Sequence, residues 1–175
     1  MTLAVLVAAG TVSGTGAAAM ADQAPSEMLS NGTFDTGSNP WYGNDADISV
    51  TDGELEASVP SGGFGELPGG VVNPWDRSVV YPGLSFTGYQ LYKLSFDARA
   101  TRDVTIDASV YTYEGLYIPY WEHPIELGTS TRHFEVPVAV YATASDRRLG
   151  FQLGTDGPSY RMYLDNVSLT PVQDD

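Results

Sequence analysis

From Asp22 onward apolar and polar residues alternate along the chain, and no window of a dozen residues shows helical spacing. Leu55, Ala57 and Val59 share one face; so do Tyr92, Leu94, Phe96 and Ala98, with Lys93, Ser95 and Asp97 on the other. The same rule groups Val104, Ile106, Ala108 and Val110, then Phe134, Val136, Val138 and Val140, and then Leu149, Phe151 and Leu153. Clusters rich in Gly, Pro, Ser and Thr at 60–63, 68–70, 82–83, 128–131 and 154–158 predict turns between these strands. Many short alternating strands punctuated in this way predict an all-β fold, an antiparallel β-sandwich or jelly roll. In the last strand the alternation slips: Met162 and Leu164 have one phase, Val167 and Leu169 the other. A bulge at Asp165 and Asn166 is expected there. On pattern alone Asp165 is either a turn former or an oxygen ligand for Ca²⁺.

Composition narrows the function. The chain has 175 residues, 22 acidic against 8 basic side chains and a formal charge of -14. Such a balance argues against nucleic acid or an anionic bilayer as partner, because both are held by Lys and Arg, and it favours a neutral ligand. The absence of cysteine excludes a disulfide, a thiolate metal site and a thiol nucleophile. Residues 1–21 carry no charge and end in Ala19, Met20 and Ala21 ahead of Asp22, which reads as a secretory signal peptide and predicts an exported, extracellular protein. One binding domain is expected over 22–172, followed by a tail at 173–175.

The candidate chemistry lies on the polar faces. Opposite Val104, Ile106, Ala108 and Val110 stand Thr105, Asp107, Ser109, Tyr111 and Tyr113. Tyr117, Tyr120 and Trp121 read as a ring-bearing loop, and Trp41, Tyr42 and Trp75 follow Asn-Pro in turn-like contexts. Arg148, Gly150 and Gln152 would lie beside this polar-aromatic face if their strands are neighbours. Rings flanked by planar donors and acceptors suit a sugar, whose C–H faces stack on aromatics while its hydroxyl rim takes hydrogen bonds. Two readings stay open here: a ligand groove, or tyrosines that complete the sandwich with backbone-satisfied hydroxyls. Catalytic patterns are poor. His123 and His133 are the only histidines, and neither an H-E-x-x-H nor a G-x-S-x-G motif occurs. Carboxylate pairs such as Glu54 with Glu56 or Asp103 with Asp107 keep a small jelly-roll glycan-active enzyme, a hydrolase or lyase, as the alternative. A structural domain with a vestigial groove is the third reading.

Seven segments in order carry a family resemblance: LSNGTFDTG at 29–37 with PW at 40–41, DGEL at 52–55, VNPWD at 72–76, YKLSFDARA at 92–100, IPY at 118–120, FQLG at 151–154 and LDNVSL at 164–169. Together they resemble carbohydrate-binding modules of families 4 and 9, above all the family 4 modules of actinobacterial endoglucanases. The resemblance implies a jelly roll whose groove takes one chain of a soluble β-linked glucan, by a monomer without catalysis. It places the groove's ring on Tyr120, its glutamine on Gln152 and its tryptophan on Trp75. It also places a structural Ca²⁺ on Thr33, Gly53 and Asp165. Residues 173–175 stand where a linker to a glycoside hydrolase domain would begin. The cysteine pair of close relatives falls on Glu56 and Tyr163, and two groove residues of relatives fall on Asp107 and Arg148, so sugar specificity does not carry over and amorphous cellulose, mixed-linkage glucan and xylan all stay open as ligands. If their strands adjoin, Asp107 and Arg148 are expected to form an ion pair lining the groove.

Overall fold

The computed structural model describes residues 25–62, 72–113 and 116–173. The expected signal sequence, the expected turn at 68–70 and the last two residues of the expected tail lie outside them. Among the described residues ten strands follow one another: β1 (Tyr42–Asn44), β2 (Asp47–Thr51), β3 (Glu54–Val59), β4 (Ser78–Phe86), β5 (Leu91–Ala100), β6 (Val104–Tyr113), β7 (Tyr117–Leu127), β8 (Arg132–Ala139), β9 (Ala144–Gln152) and β10 (Tyr160–Pro171), with a 3₁₀ turn at Pro74–Asp76 before β4. They form two five-stranded antiparallel sheets, ordered β1-β4-β9-β6-β7 and β2-β3-β10-β5-β8. The expected β-sandwich is therefore present.

The alternation read from the sequence becomes the core. Leu55, Ala57, Leu94, Phe96, Ile106, Ala108, Leu149 and Phe151 are buried between the sheets, with Met162 and Leu164 of the central strand β10. Phe96 meets Phe151 edge to face at 5.0 Å, and Trp41 packs within 6.4 Å of the Phe151 ring. The β2–β3 hairpin turns on Asp52 and Gly53, both at positive φ (53° and 80°), the backbone that a two-residue type I′ turn requires.

The phase slip in β10 is a bulge. Its register against β5 shifts between Asp165 and Ser168, and Asn166 sits at φ 52°. Val167 and Leu169 thereby return to the core. Two expected turns are absent. Pro82 and Gly83 interrupt β4 as an irregularity in its register with β9, since Gly83 supplies a φ of 75° without ending the strand. The expected ring-bearing loop around Tyr117 to Trp121 is the first half of β7, in which Tyr120 is an extra residue: Val110 pairs with Trp121 and Tyr111 with Pro119.

Candidate carbohydrate-binding cleft

The strand registers lay the outer face of the first sheet out as rows. Asn44, Ser78, Gln152, Asp107 and Pro124 form one row across β1, β4, β9, β6 and β7. Tyr42, Val80, Gly150, Ser109 and Glu122 form the next, and Arg148, Tyr111 and Pro119 the one after. Over these rows lies a cleft of about 160 Å³ lined by Tyr42, Asn44, Trp75, Ser78, Tyr111, Tyr117, Arg148 and Gln152. All of the first sheet's strands and the 3₁₀ turn contribute to it.

Its rings are ordered by contact. Tyr111 lies against Tyr117 with centroids 4.9 Å apart, and Tyr117 stacks on Trp75 at 5.2 Å and 15°. Trp75 is 44% exposed and Tyr42 37%, so each offers ring surface to solvent. The floor is polar and fixed. Gln152, 1% exposed, donates through Nε2 to Ser109 Oγ at 2.9 Å. Gly150 makes room for it: a Cβ there would come 2.6 Å from Gln152 Nε2 and 2.7 Å from Tyr111 Cε1. Burial raises the phenol pKa of Tyr111, with Tyr42 adding to the shift and Arg148 and Ser78 opposing it. Tyr117 is raised further, chiefly by burial, with Ser109 opposing and Glu122 reinforcing. Both phenols therefore stay protonated donors at neutral pH.

The expected site residues divide. Tyr42, Trp75, Tyr111, Arg148 and Gln152 come together in the cleft. Tyr113 is the last residue of β6, and its side chain lies outside the described residues. Trp41 does not belong to the cleft. It is 2% exposed, packed against Phe34, Tyr81 and Phe151, because the period-two rule sends one residue of the Trp41–Tyr42 pair inward and the other outward. Tyr120 is 40% exposed but stands outside the cleft lining. Its ring carries the Arg147 guanidinium at 4.3 Å, and Arg147 has the inward phase of Leu149 and Phe151. The Asp107–Arg148 ion pair is also overturned. Although β6 and β9 adjoin, Asp107 pairs with Gln152 and Tyr111 with Arg148. Four residues of strand separate the two charges, on the order of 13 Å. Asp107 instead neighbours Glu122, and its carboxyl pKa is raised by burial and by that second carboxylate, with His123 opposing. Sequence reasoning missed Asn44, Ser78 and Glu122, and it noted Tyr117 only as part of a loop.

Other surfaces differ in kind. The outer face of the second sheet carries ion pairs, Lys93 with Glu135, Arg99 with Glu54, Arg161 with Glu56 and, when protonated, His133 with Asp97. A larger, shallow depression of about 570 Å³ lies at one end between Arg102 and Arg132. No aromatic ring lines it, and Arg102 is committed to the Pro158 and Asp103 carbonyls.

The residues expected to hold calcium lie around the β2–β3 turn and the β10 bulge, although no cluster of three or more His, Cys, Asp or Glu placed for a metal ion occurs among the described residues. The Thr33 carbonyl oxygen and Asp35 Oδ1 lie 3.5 and 3.6 Å from where a Gly53 Cβ would stand, in a space that the missing side chain leaves open. Asp165 has its pKa raised by burial first, with Asn166 opposing and the carboxylates of Asp97 and Asp35 reinforcing. These hard oxygen donors suit Ca²⁺. Glu56 and Tyr163, the positions matched to the relatives' cysteines, are direct partners across β3 and β10.

No protein-family model matches the chain. In an alignment 156 positions long that covers 82% of this chain, it is 30% identical to Endoglucanase C of Cellulomonas fimi and spans 13% of that protein. Among solved structures, the second N-terminal cellulose-binding domain of Cellulomonas fimi β-1,4-glucanase C superposes with a TM-score of 0.67 at 26% identity, covering 86% of this chain and 97% of that domain. A family 4 carbohydrate-binding module superposes with a TM-score of 0.69 at 24% identity, covering 80% of this chain and all of the other. In sequence and in fold, the chain resembles the family 4 carbohydrate-binding modules of an actinobacterial endoglucanase.

Proposed function

We propose that the chain is a binding module, not an enzyme, and that it takes a single chain of β-linked glucan across the outer face of the first sheet. The observation that carries this is the cleft itself. Exposed Trp75 and Tyr42 offer stacking surfaces beside the polar groups Gln152, Arg148, Ser78 and Asn44, of which Gln152 is fixed by its bond to Ser109. Pyranose C–H faces would lie on the rings, and the hydroxyl rim would meet the floor. The resemblance to named cellulose-binding domains supports a β-1,4-linked ligand. A shallow site of this kind, competing with water for each hydrogen bond, should bind with about -4 to -8 kcal/mol, millimolar to micromolar.

The same reading includes a structural Ca²⁺ held by the Thr33 and Gly53 carbonyls and the Asp165 carboxylate, with Asp35 beside them. Bound there, the ion would tie the β2–β3 hairpin and the N-terminal segment to the β10 bulge, remote from the rings. Export is inferred from residues 1–21, and a glycoside hydrolase domain is the inferred covalent neighbour.

Calorimetric titration with cellohexaose tests the function. Wild type should bind in the stated range without releasing reducing ends, and Trp75→Ala should weaken binding by about tenfold, the equivalent of losing roughly 1.4 kcal/mol of stacking. Absence of binding to any β-linked glucan would reject the reading.

A further inference from the structure

The Tyr117 ring is the middle rung between Tyr111 on the sheet and Trp75 on the 3₁₀ turn. Stacking fixes its plane but leaves it free to slide. Its hydroxyl is held from two sides, donating to Glu122 Oε1 at 2.7 Å and hydrogen-bonded to Ser109. Residues five apart on a regular strand point to opposite faces. Here Tyr120 is the extra residue of a bulge, so Tyr117, Pro119, Glu122 and Pro124 all share the outer face. The bulge thus brings a carboxylate back under a ring that would otherwise have none. A phenol bonded to a carboxylate makes a charge-assisted contact, stronger than one between neutral groups. Glu122 is solvent-exposed, and apart from its charge near Asp107 its contact in the cleft is the hydrogen bond from Tyr117.

We propose that Glu122 is a positioning residue for the cleft: by holding the Tyr117 hydroxyl it fixes the stack that presents Trp75 to the glucan. This rests on the reading of the cleft as the glucan site. Glu122 touches the ring, not the sugar, and acts through Trp75. Loss of the bond should let the Tyr117 ring slide between its neighbours, with Ser109 its remaining polar contact, and leave Trp75 poorly backed.

The test compares Glu122→Leu, Glu122→Gln, Tyr117→Phe, the double variant E122L/Y117F and Trp75→Ala. Cellohexaose affinity, melting temperature and the near-ultraviolet circular dichroism of the stacked pair, assigned as the band that W75A abolishes, are measured on each. E122L and Y117F should each weaken binding by about tenfold and diminish that band, at little change in melting temperature. E122Q, which keeps an acceptor oxygen, should stay within about twofold of wild type, and the double variant should be no weaker than either single one. Binding by E122L within twofold of wild type, or losses that multiply in the double variant, would overturn the proposal. W75A separates the two readings: if it binds as wild type does, the cleft reading fails, whereas a weak W75A beside an unaffected E122L removes only the role of Glu122.

Discussion

Gly150→Ala is a one-atom test of how the cleft floor is built. Gly150 is buried in the middle of the sheet between Val80 of β4 and Ser109 of β6, and its φ is not in the left-handed region, so the backbone accepts alanine. The penalty is therefore packing alone. The new methyl would lie 2.6 Å from Gln152 Nε2 and 2.7 Å from Tyr111 Cε1, distances that a real Cβ contact does not sustain. Tyr111 is rigid, held against Tyr117, so its ring must lift. Gln152 can move only by stretching or breaking its buried bond to Ser109. Overpacking of this kind costs about 1–3 kcal/mol, and a weakened buried hydrogen bond falls within the same range. For a chain of this size that lowers the melting temperature by roughly 3–10 °C. Because both displaced groups line the cleft, glucan affinity should fall together with stability. Thermal unfolding by circular dichroism and calorimetry on the same sample read the two effects. A melting temperature within about 1 °C of wild type, with unchanged affinity, would refute the view that Gly150 is what lets Tyr111 and Gln152 meet.

Three further outcomes are expected. Chelation should lower the melting temperature while leaving glucan affinity intact, since an ion at one hundred times its dissociation constant contributes about 2.7 kcal/mol by mass action; identical melting curves with and without chelator would reject the calcium site. Asp107, whose folded pKa lies above the ordinary 3.8, holds its proton more tightly when folded, so its contribution to stability grows as pH falls through the folded value. Asp107→Asn should therefore be at least as stable as wild type at neutral pH, with the difference shrinking on acidification, and a difference independent of pH in chemical-denaturation curves would contradict it. Tyr120→Ala should leave cellohexaose affinity within about twofold, whereas Trp41→Ala should cost about 3–5 kcal/mol of stability, as expected for truncating a buried aromatic.

What was legible in the sequence was whatever depends on phase. The alternating sets around Leu94, Ile106 and Phe151 are the core, and the slip at Asp165 is the bulge. Register was not legible. Asp107 and Arg148 share a face, but β6 and β9 are separated in sequence by two other strands, so no turn fixes their offset, and four residues of strand divide the charges. The β7 bulge hid Tyr117 and Glu122: a proline at 119 beside adjacent rings suggested a loop, yet an edge strand accommodates both proline and an extra residue. The alternation rule applied one residue earlier would have separated Trp41 from Tyr42. Pro82 and Gly83 misled in the same way, being absorbed within β4 without reversing the chain.

The most direct test of the central claim is a nuclear magnetic resonance titration with cellohexaose that follows backbone amides across the whole sandwich. Shifts should concentrate on Tyr42, Asn44, Ser78, Tyr111, Arg148 and Gln152 and on the side-chain indole of Trp75, with the outer face of the second sheet unmoved. Shifts concentrated instead on the depression between Arg102 and Arg132, or on the charged face around Lys93 and Arg99, would contradict it.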